Sequence, residues 1–258
     1  MRMKSGVAAV MVAVGVAGPA WAAERAPTLT LGVQPSYFTG NYGTSTTTKI
    51  TYVPVYAKYK TGNLSLKLTV PYISVESSGA LVSGGTVIGT RNGGTVTRKS
   101  GMGDIWAEGR YRFRGAGSAP DVSPYAKIKF GTASHADGLG TGENDYEGGL
   151  GFEWTVGQTV FPFLDVGYRF VGSPPGKNLK NIATYDAGVT YKANEKNFLS
   201  GIYSGHQATQ SGFASTADLL VAWNHDTRPG SGFQFYVDKG LSNGSPKYGV
   251  GAGAYVRF

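Results

Sequence analysis

Apolar and polar residues alternate along most of this chain, and the alternating stretches predict β-strands. The cleanest sets Leu64, Leu66, Leu68, Val70 and Tyr72 against Ser65, Lys67 and Thr69. The same rhythm predicts strands over residues 28–37, 50–60, 64–72, 104–113, 124–130, 145–154, 161–170, 184–192, 197–204, 216–224, 233–239 and 247–258. Gly, Pro, Asn and Ser clusters separate them. Most have one apolar face; residues 50–60 are mixed, with Val53, Val55, Ala57 and Tyr59 as the outer face, and residues 197–204 leave the choice open. An even number of hairpin-linked strands, with no long apolar run after residue 22, predicts a closed up-and-down barrel.

Connection lengths and aromatics add an orientation. The linkers at 61–63, 114–121, 155–159, 193–196 and 225–231 are on average shorter than those at 74–103, 131–144, 171–181 and 205–215. Short turns belong to the periplasmic end and long loops to the outside. Tyr59, Tyr111, Phe113, Trp154, Phe161, Trp223, Phe233 and Phe258 fall at the short-turn ends of strands. Tyr37, Tyr72, Phe130, Tyr146, Tyr168, Phe170, Tyr185 and Tyr248 fall at the long-loop ends. Two aromatic bands one strand apart are the girdles of a membrane barrel. A soluble β-sandwich or lipocalin-like barrel would instead hold its aromatics in the core. The final stretch, Tyr248 to Phe258, resembles the last strand of bacterial outer-membrane barrels, where a terminal aromatic is read by the insertion machinery. The resemblance makes that machinery, acting through Phe258, an expected partner.

The N-terminus agrees. Arg2 and Lys4 precede an apolar segment from Val7 to Ala17, Gly18-Pro19 breaks it, and Ala20-Trp21-Ala22 fits a cleavage site. The expected organisation is a signal peptide at 1–22 and a barrel at 23–258. Without cysteine there are no disulfides, thiolate metal sites or c-type haem attachment. The formal charge of +8 falls to +6 without Arg2 and Lys4. On a secreted chain with dispersed charges this points to outer-membrane lipid, lipopolysaccharide and small solutes as partners, not to nucleic acid.

Two stretches resemble a named family. Ser100-Gly-Met-Gly-Asp104 followed by Ile105–Phe113, and Lys129-Phe-Gly-Thr132 with Leu139-Gly-Thr-Gly142 and Asp145, resemble outer-membrane proteins of the MetA phenol-degradation pathway type. This chain has Gly131 and Ala133 where that family usually has Pro and Gly. The resemblance implies a small outer-membrane barrel that takes up aromatic or other small hydrophobic compounds.

Strand parity places Asp104, Glu108, Arg110, Arg112, Lys127, Lys129, Glu147, Glu153 and Arg169 on the inner wall. They are candidate selectivity residues, or a salt-bridged lining. Asp137, Glu143, Asp145 and Glu147 form an acidic stretch whose oxygens suit Ca²⁺. Its spacing is irregular, and Lys127 and Lys129 on the preceding strand offer ion pairs instead, so no metal or cofactor is expected. His135, His206 and His225 lack the serine spacing of barrel lipases; His225-Asp226 falls in an expected periplasmic turn, and in the outer loops Asp137 near His135 is the one Asp–His candidate. The segment 74–103, with Arg91, Arg98 and Lys99, is long enough to fold inward as a gate. The expected protein is an all-β, transmembrane antiparallel barrel of about twelve strands, acting as a passive channel. An outer-membrane enzyme and a structural or adhesive barrel are the alternatives.

Overall fold

The computed structural model describes residues 26–78, 80–83, 86–88 and 95–258; the expected signal peptide and its cleavage site lie outside them. The described elements are all strands: β1 (Thr28–Val33), β2 (Ser36–Gly40), β3 (Thr48–Thr61), β4 (Leu64–Ser77), β5 (Leu81–Ser83), β6 (Thr86–Ile88), β7 (Thr97–Met102), β8 (Ile105–Tyr111), β9 (Asp121–Phe130), β10 (Asp145–Glu153), β11 (Val160–Phe170), β12 (Ile182–Lys192), β13 (Asn197–His206), β14 (Thr216–Arg228), β15 (Ser231–Gly240) and β16 (Tyr248–Arg257). All except β5 and β6 form one antiparallel sheet, closed on itself where β16 pairs with both β1 and β2. β1–β2 and β7–β8 are each one wall strand interrupted once, so the barrel has twelve staves.

Both interruptions have one cause. Proline offers no N–H to a ladder. Pro54 and Pro71 face each other across β3 and β4. The Pro54 carbonyl accepts from Gln34 at the β1–β2 break, and the Pro71 carbonyl from Gly103 at the β7–β8 break. Pro35 adds a third missing donor beside them. Inward and outward positions stay in phase across the β1–β2 break. At β7–β8 the register instead shifts by one residue, from Tyr72 opposite Met102 to Thr69 opposite Trp106, and the parity reverses.

The outward set is as alternation predicts, with one correction. Leu66, Leu68, Val70, Leu150, Val166, Val189, Val221 and Val237 form an exposed apolar band. Exposed Tyr59, Tyr111 and Phe113 edge it at the short-turn end, and Tyr72, Tyr146, Tyr168 and Phe170 at the other. Phe161 does not belong to the girdle: it is buried, on the inward parity of β11 shared with Asp165 and Arg169. The open question in β13 is settled the same way, Leu199 and Tyr203 facing out and Phe198 and Ile202 in. β14 runs on to Arg228, so His225 and Asp226 lie in a strand and not in a turn.

Both ends of the expected loop 74–103 are wall. β4 continues to Ser77 and β7 begins at Thr97. Between them sits the β5–β6 hairpin, with Leu81, Val82, Val87 and Ile88 all buried. Val82 and Val87 join the cluster of Ile73, Val75 and Leu139, while Leu81 and Ile88 pack with Leu179 and Val171. The Val82 amide donates to the Gly138 carbonyl. The hairpin is thus pinned to loops of the long-loop mouth.

At the other end Phe258 and Leu29 exchange both backbone hydrogen bonds, at 2.8 and 3.1 Å, as the last rung of the β1–β16 seam. Deleting Phe258 removes that rung from a short seam. The expected result is less heat-modifiable, folded barrel in membrane fractions and a lower urea midpoint, read by the gel shift of unheated samples.

Candidate functional site

The inner wall has two unlike halves. On β8 to β11 it is charged, and register explains how. Lys58 stands opposite Lys67, Lys67 opposite Glu108, Glu108 opposite Lys127, Lys127 opposite Glu147, and Glu147 opposite Arg169. This row follows the hydrogen-bonding direction across tilted strands, so it climbs the barrel. It starts near the short-turn end of β3 and finishes beside the long-loop end of β11.

Most of its members are locked together. Glu147 accepts from Lys127 at 3.0 Å and from the Arg169 Nε at 2.8 Å. Lys129 lies between Asp145 at 3.2 Å and Asp104 at 3.5 Å, and Asp104 also accepts the Ala133 amide. Arg110 forms two parallel bonds to Asp165, at 3.0 and 2.8 Å, and Glu108 stands at 3.4 Å from its Nε. Arg112 is looser, 3.6 Å from Glu153 and 3.8 Å from Asp121. Glu108, at 19% side-chain exposure, is the most open of the nine residues expected on this wall; the other eight are buried. Removing any one of them would strand a charged partner at low dielectric.

Glycine makes the longest of these bonds reachable. Arg110 is on β8 and Asp165 on β11, so the guanidinium must cross β9 and β10. Inward positions on β10 include Gly149 and Gly151. A Cβ on Gly151 would stand 2.4 Å from Arg110 Nη1 and 2.2 Å from Asp165 Oδ1. The Tyr125 ring fills the same trough, 2.4 Å from where a Gly149 Cβ would be, with the guanidinium 4.6 Å from its centroid.

The remaining wall carries an apolar and aromatic cluster among uncharged polar residues and the aspartates of β12, β14 and β15. Phe38, Ile50, Tyr52, Ile73 and Val75 on β2 to β4 face the same interior as Phe198, Ile202, Leu220, Ala222 and Tyr236 on β13 to β15, in one buried cluster. The hairpin valines Val82 and Val87 belong to that cluster. Some buried polar groups here pair with one another: Tyr236 donates to the Ser36 hydroxyl at 2.7 Å, and Gln34 to Gln234 at 3.2 Å.

The acidic stretch at 137–147 is dispersed. Asp137 pairs with Ser134 and Lys99, whose bonds hold its carboxyl below the usual range. Asp145 and Glu147 pair with the inner-wall cations. Among the described residues no cluster of three metal-ligating side chains forms. The histidines are apart: the His206 Nδ1 meets the Gln207 carbonyl, and His225 meets Asn197 and stacks on Phe233.

Some functional candidates were not singled out by the sequence reading. Lys58 and Lys67 are half-buried inside and make no salt bridge among the described residues; Lys67 lies 5.0 Å from the Tyr56 ring. The parity rule already placed them inward, but nothing in the pattern distinguishes a paired inner cation from an unpaired one.

An outer membrane channel of Pseudomonas putida F1 superposes on 95% of this chain and 100% of its own, with a TM-score of 0.67 and 14% identity. This is the outer-membrane β-barrel fold. The NanC porin covers 88% of this chain and 98% of its own (TM-score 0.56, 12% identity). The translocator domain of the autotransporter NalP from Neisseria meningitidis covers 90% and 88% (TM-score 0.52, 12% identity). At these identities the likeness is one of fold. No family profile matches the chain, and no curated protein does.

Proposed function

We propose that this protein is an outer-membrane channel for small solutes, with aromatic or hydrophobic compounds as its class, and that it belongs with the MetA-type phenol-degradation barrels it resembles in sequence. The exposed apolar band between aromatic rims would sit in outer-membrane lipid and lipopolysaccharide. The long-loop mouth would face outward, and Phe258 would serve the insertion machinery. Asp104, Glu108, Arg110, Arg112, Lys127, Lys129, Glu147, Glu153 and Arg169 would line the path as its ion-paired side.

The observation that carries this reading is the divided inner wall. A channel for hydrophilic solutes has a polar lumen. Here one side of the inner face carries a buried cluster of Phe, Ile, Val, Leu and Tyr, a surface on which an aromatic ring loses little when it leaves lipid or water. The hairpin valines cover that surface at the long-loop mouth, so passage requires the hairpin to lift. Refolded protein in planar bilayers should therefore show small conductance, rising severalfold when residues 81–88 are replaced by a short Gly-Ser link, with small aromatic solutes reducing the enlarged current. A folded variant without the hairpin that carries no current would identify a structural barrel.

A further inference from the structure

Three oxygen acceptors near the long-loop mouth have no donor. Both carboxylate oxygens of Asp218 and the Oδ1 of Asp238 are buried without a hydrogen-bond partner, and so is the hydroxyl of Tyr42. Asp218 is 1% exposed, Asp238 8% and Tyr42 3%. The two carboxylates sit diagonally across β14 and β15, Asp218 opposite Gly240 and Asp238 opposite Leu220. Ser245 stands beside Asp218, and its hydroxyl is shared with the Ala217 carbonyl at 2.9 Å.

Tyr42 arrives from the β2–β3 loop in an uncommon conformation. Its φ of 49° is the only left-handed one at a non-glycine residue among the described residues. A bulky side chain rarely adopts that backbone, and such strain persists where the surroundings hold it. Burial, then the carboxylates of Asp218 and Asp238, push the phenol well above its usual pKa, which places its oxygen within their field.

The surroundings define what would complete the group. Leu220 faces Asp238 directly. The Phe38 ring lies over Gly249, the residue opposite Asp238, where a Cβ would be 2.3 Å from the ring. Leu220, Phe38 and Tyr236 are among the most buried residues of the apolar wall. A carboxylate in such a place either takes up a proton or gains a counter-charge. An ammonium group carries three donors and no acceptor. It matches three orphan carboxylate oxygens, and the apolar wall would take the body attached to it. A calcium ion instead needs six to eight oxygens. A line of acids leads there from the ion-paired half: Asp165 is opposite Asp186, and Ser204 is opposite both Asp186 and Asp218.

We propose that Asp218, Asp238 and Tyr42 form a binding site for the ammonium group of a small organic amine, its apolar or aromatic body resting on Phe38, Leu220 and Tyr236. The site deepens the channel reading and rests on it for access, since the solute reaches it through the long-loop mouth.

Calorimetric titration of the detergent-refolded, full-length barrel tests it without current. The probes are phenethylammonium, the neutral 2-phenylethanol, the anion phenylacetate, and calcium chloride alone. Phenethylammonium should bind saturably, and the neutral and anionic probes far more weakly. Asp218→Asn with Asp238→Asn should weaken amine binding by about ten- to a hundredfold, the loss expected of charge-assisted hydrogen bonds. That pair keeps the side-chain shapes and removes two buried like charges, so heat-modifiable mobility should be retained. Tyr42→Phe, which keeps the ring, should weaken binding less. The proposal fails if the alcohol binds as tightly as the amine, if the double variant binds the amine unchanged, or if calcium alone saturates the site and the amine does not. A barrel that binds the amine but never conducts would sink the channel reading and leave this site standing. One that conducts and does not bind it would do the reverse.

Discussion

Arg110→Ala should cost this barrel more stability than any other single change on its inner wall. The guanidinium is 1% exposed and holds Asp165 with two bonds across two intervening strands. Truncation leaves Asp165, itself 5% exposed, as a buried carboxylate with no cation, next to Asp186 on β12. Breaking a buried pair from one side costs about 3–5 kcal/mol. That is a large share of the roughly 5–15 kcal/mol that holds a typical domain. Arg110→Glu should be worse, because it sets a third carboxylate between Glu108 and Asp165. The expected outcome is a clear drop in the urea midpoint for Ala, and little or no folded, heat-modifiable species for Glu. Gly151→Val should mimic Arg110→Ala without touching either charge, since its side chain would occupy the trough the guanidinium crosses. An Arg110→Ala barrel as stable as the wild type would show that water enters freely and solvates Asp165, and that the inner wall there is wet.

How much of this was legible beforehand follows from what alternation can carry. Parity is a strong signal in a membrane barrel, because a one-residue slip would send Arg110, Lys127 and Arg169 into lipid together. Hence the faces of the strands, the inward placement of the nine charged residues and the closed architecture could all be read from one sequence. Parity says nothing along the strand. The Pro54–Pro71 alignment that breaks β1–β2 and β7–β8 depends on which residues meet across a ladder, which needs register. The same gap hides Thr97–Met102, whose sequence Thr-Arg-Lys-Ser-Gly-Met does not alternate, so a wall strand reads as part of a long loop. Partner choice was equally invisible. Nothing in the spacing of Arg110 and Asp165 predicts their bond, which exists because two glycines on a strand between them leave room. The Asp218, Asp238 and Tyr42 group shows the limit most plainly: the two aspartates were placed inward by parity, while the tyrosine comes from a loop whose backbone no pattern describes.

Register also separates the charges that can act on a solute from those that hold the wall. Lys127 stands between Glu108 and Glu147 in the climbing row, and Arg169 ends it against Glu147; reversing either would break several pairs at once. Lys58 and Lys67 begin the same row with no salt bridge among the described residues, facing each other and Glu108 near the short-turn mouth. Reversing them should leave the barrel intact and change what it passes. Lys58→Glu with Lys67→Glu alters the local charge by four units where the path is flanked by Arg257 and Tyr56 on neighbouring inner positions. Two unit charges at about 4 Å interact by roughly 1 kcal/mol in water and roughly 4 kcal/mol in a partly shielded site. Since about 1.4 kcal/mol is tenfold, the cation-to-anion permeability ratio should rise by about tenfold at 0.1 M salt, read as a shifted reversal potential across a salt gradient in planar bilayers. At 1 M salt, where screening acts within about 3 Å, most of the shift should vanish. Lys127→Glu should fail to assemble under the same conditions. An unshifted reversal potential in the folded double variant would mean that ions do not pass along this side of the wall, and would move the conducting path to the apolar half facing it.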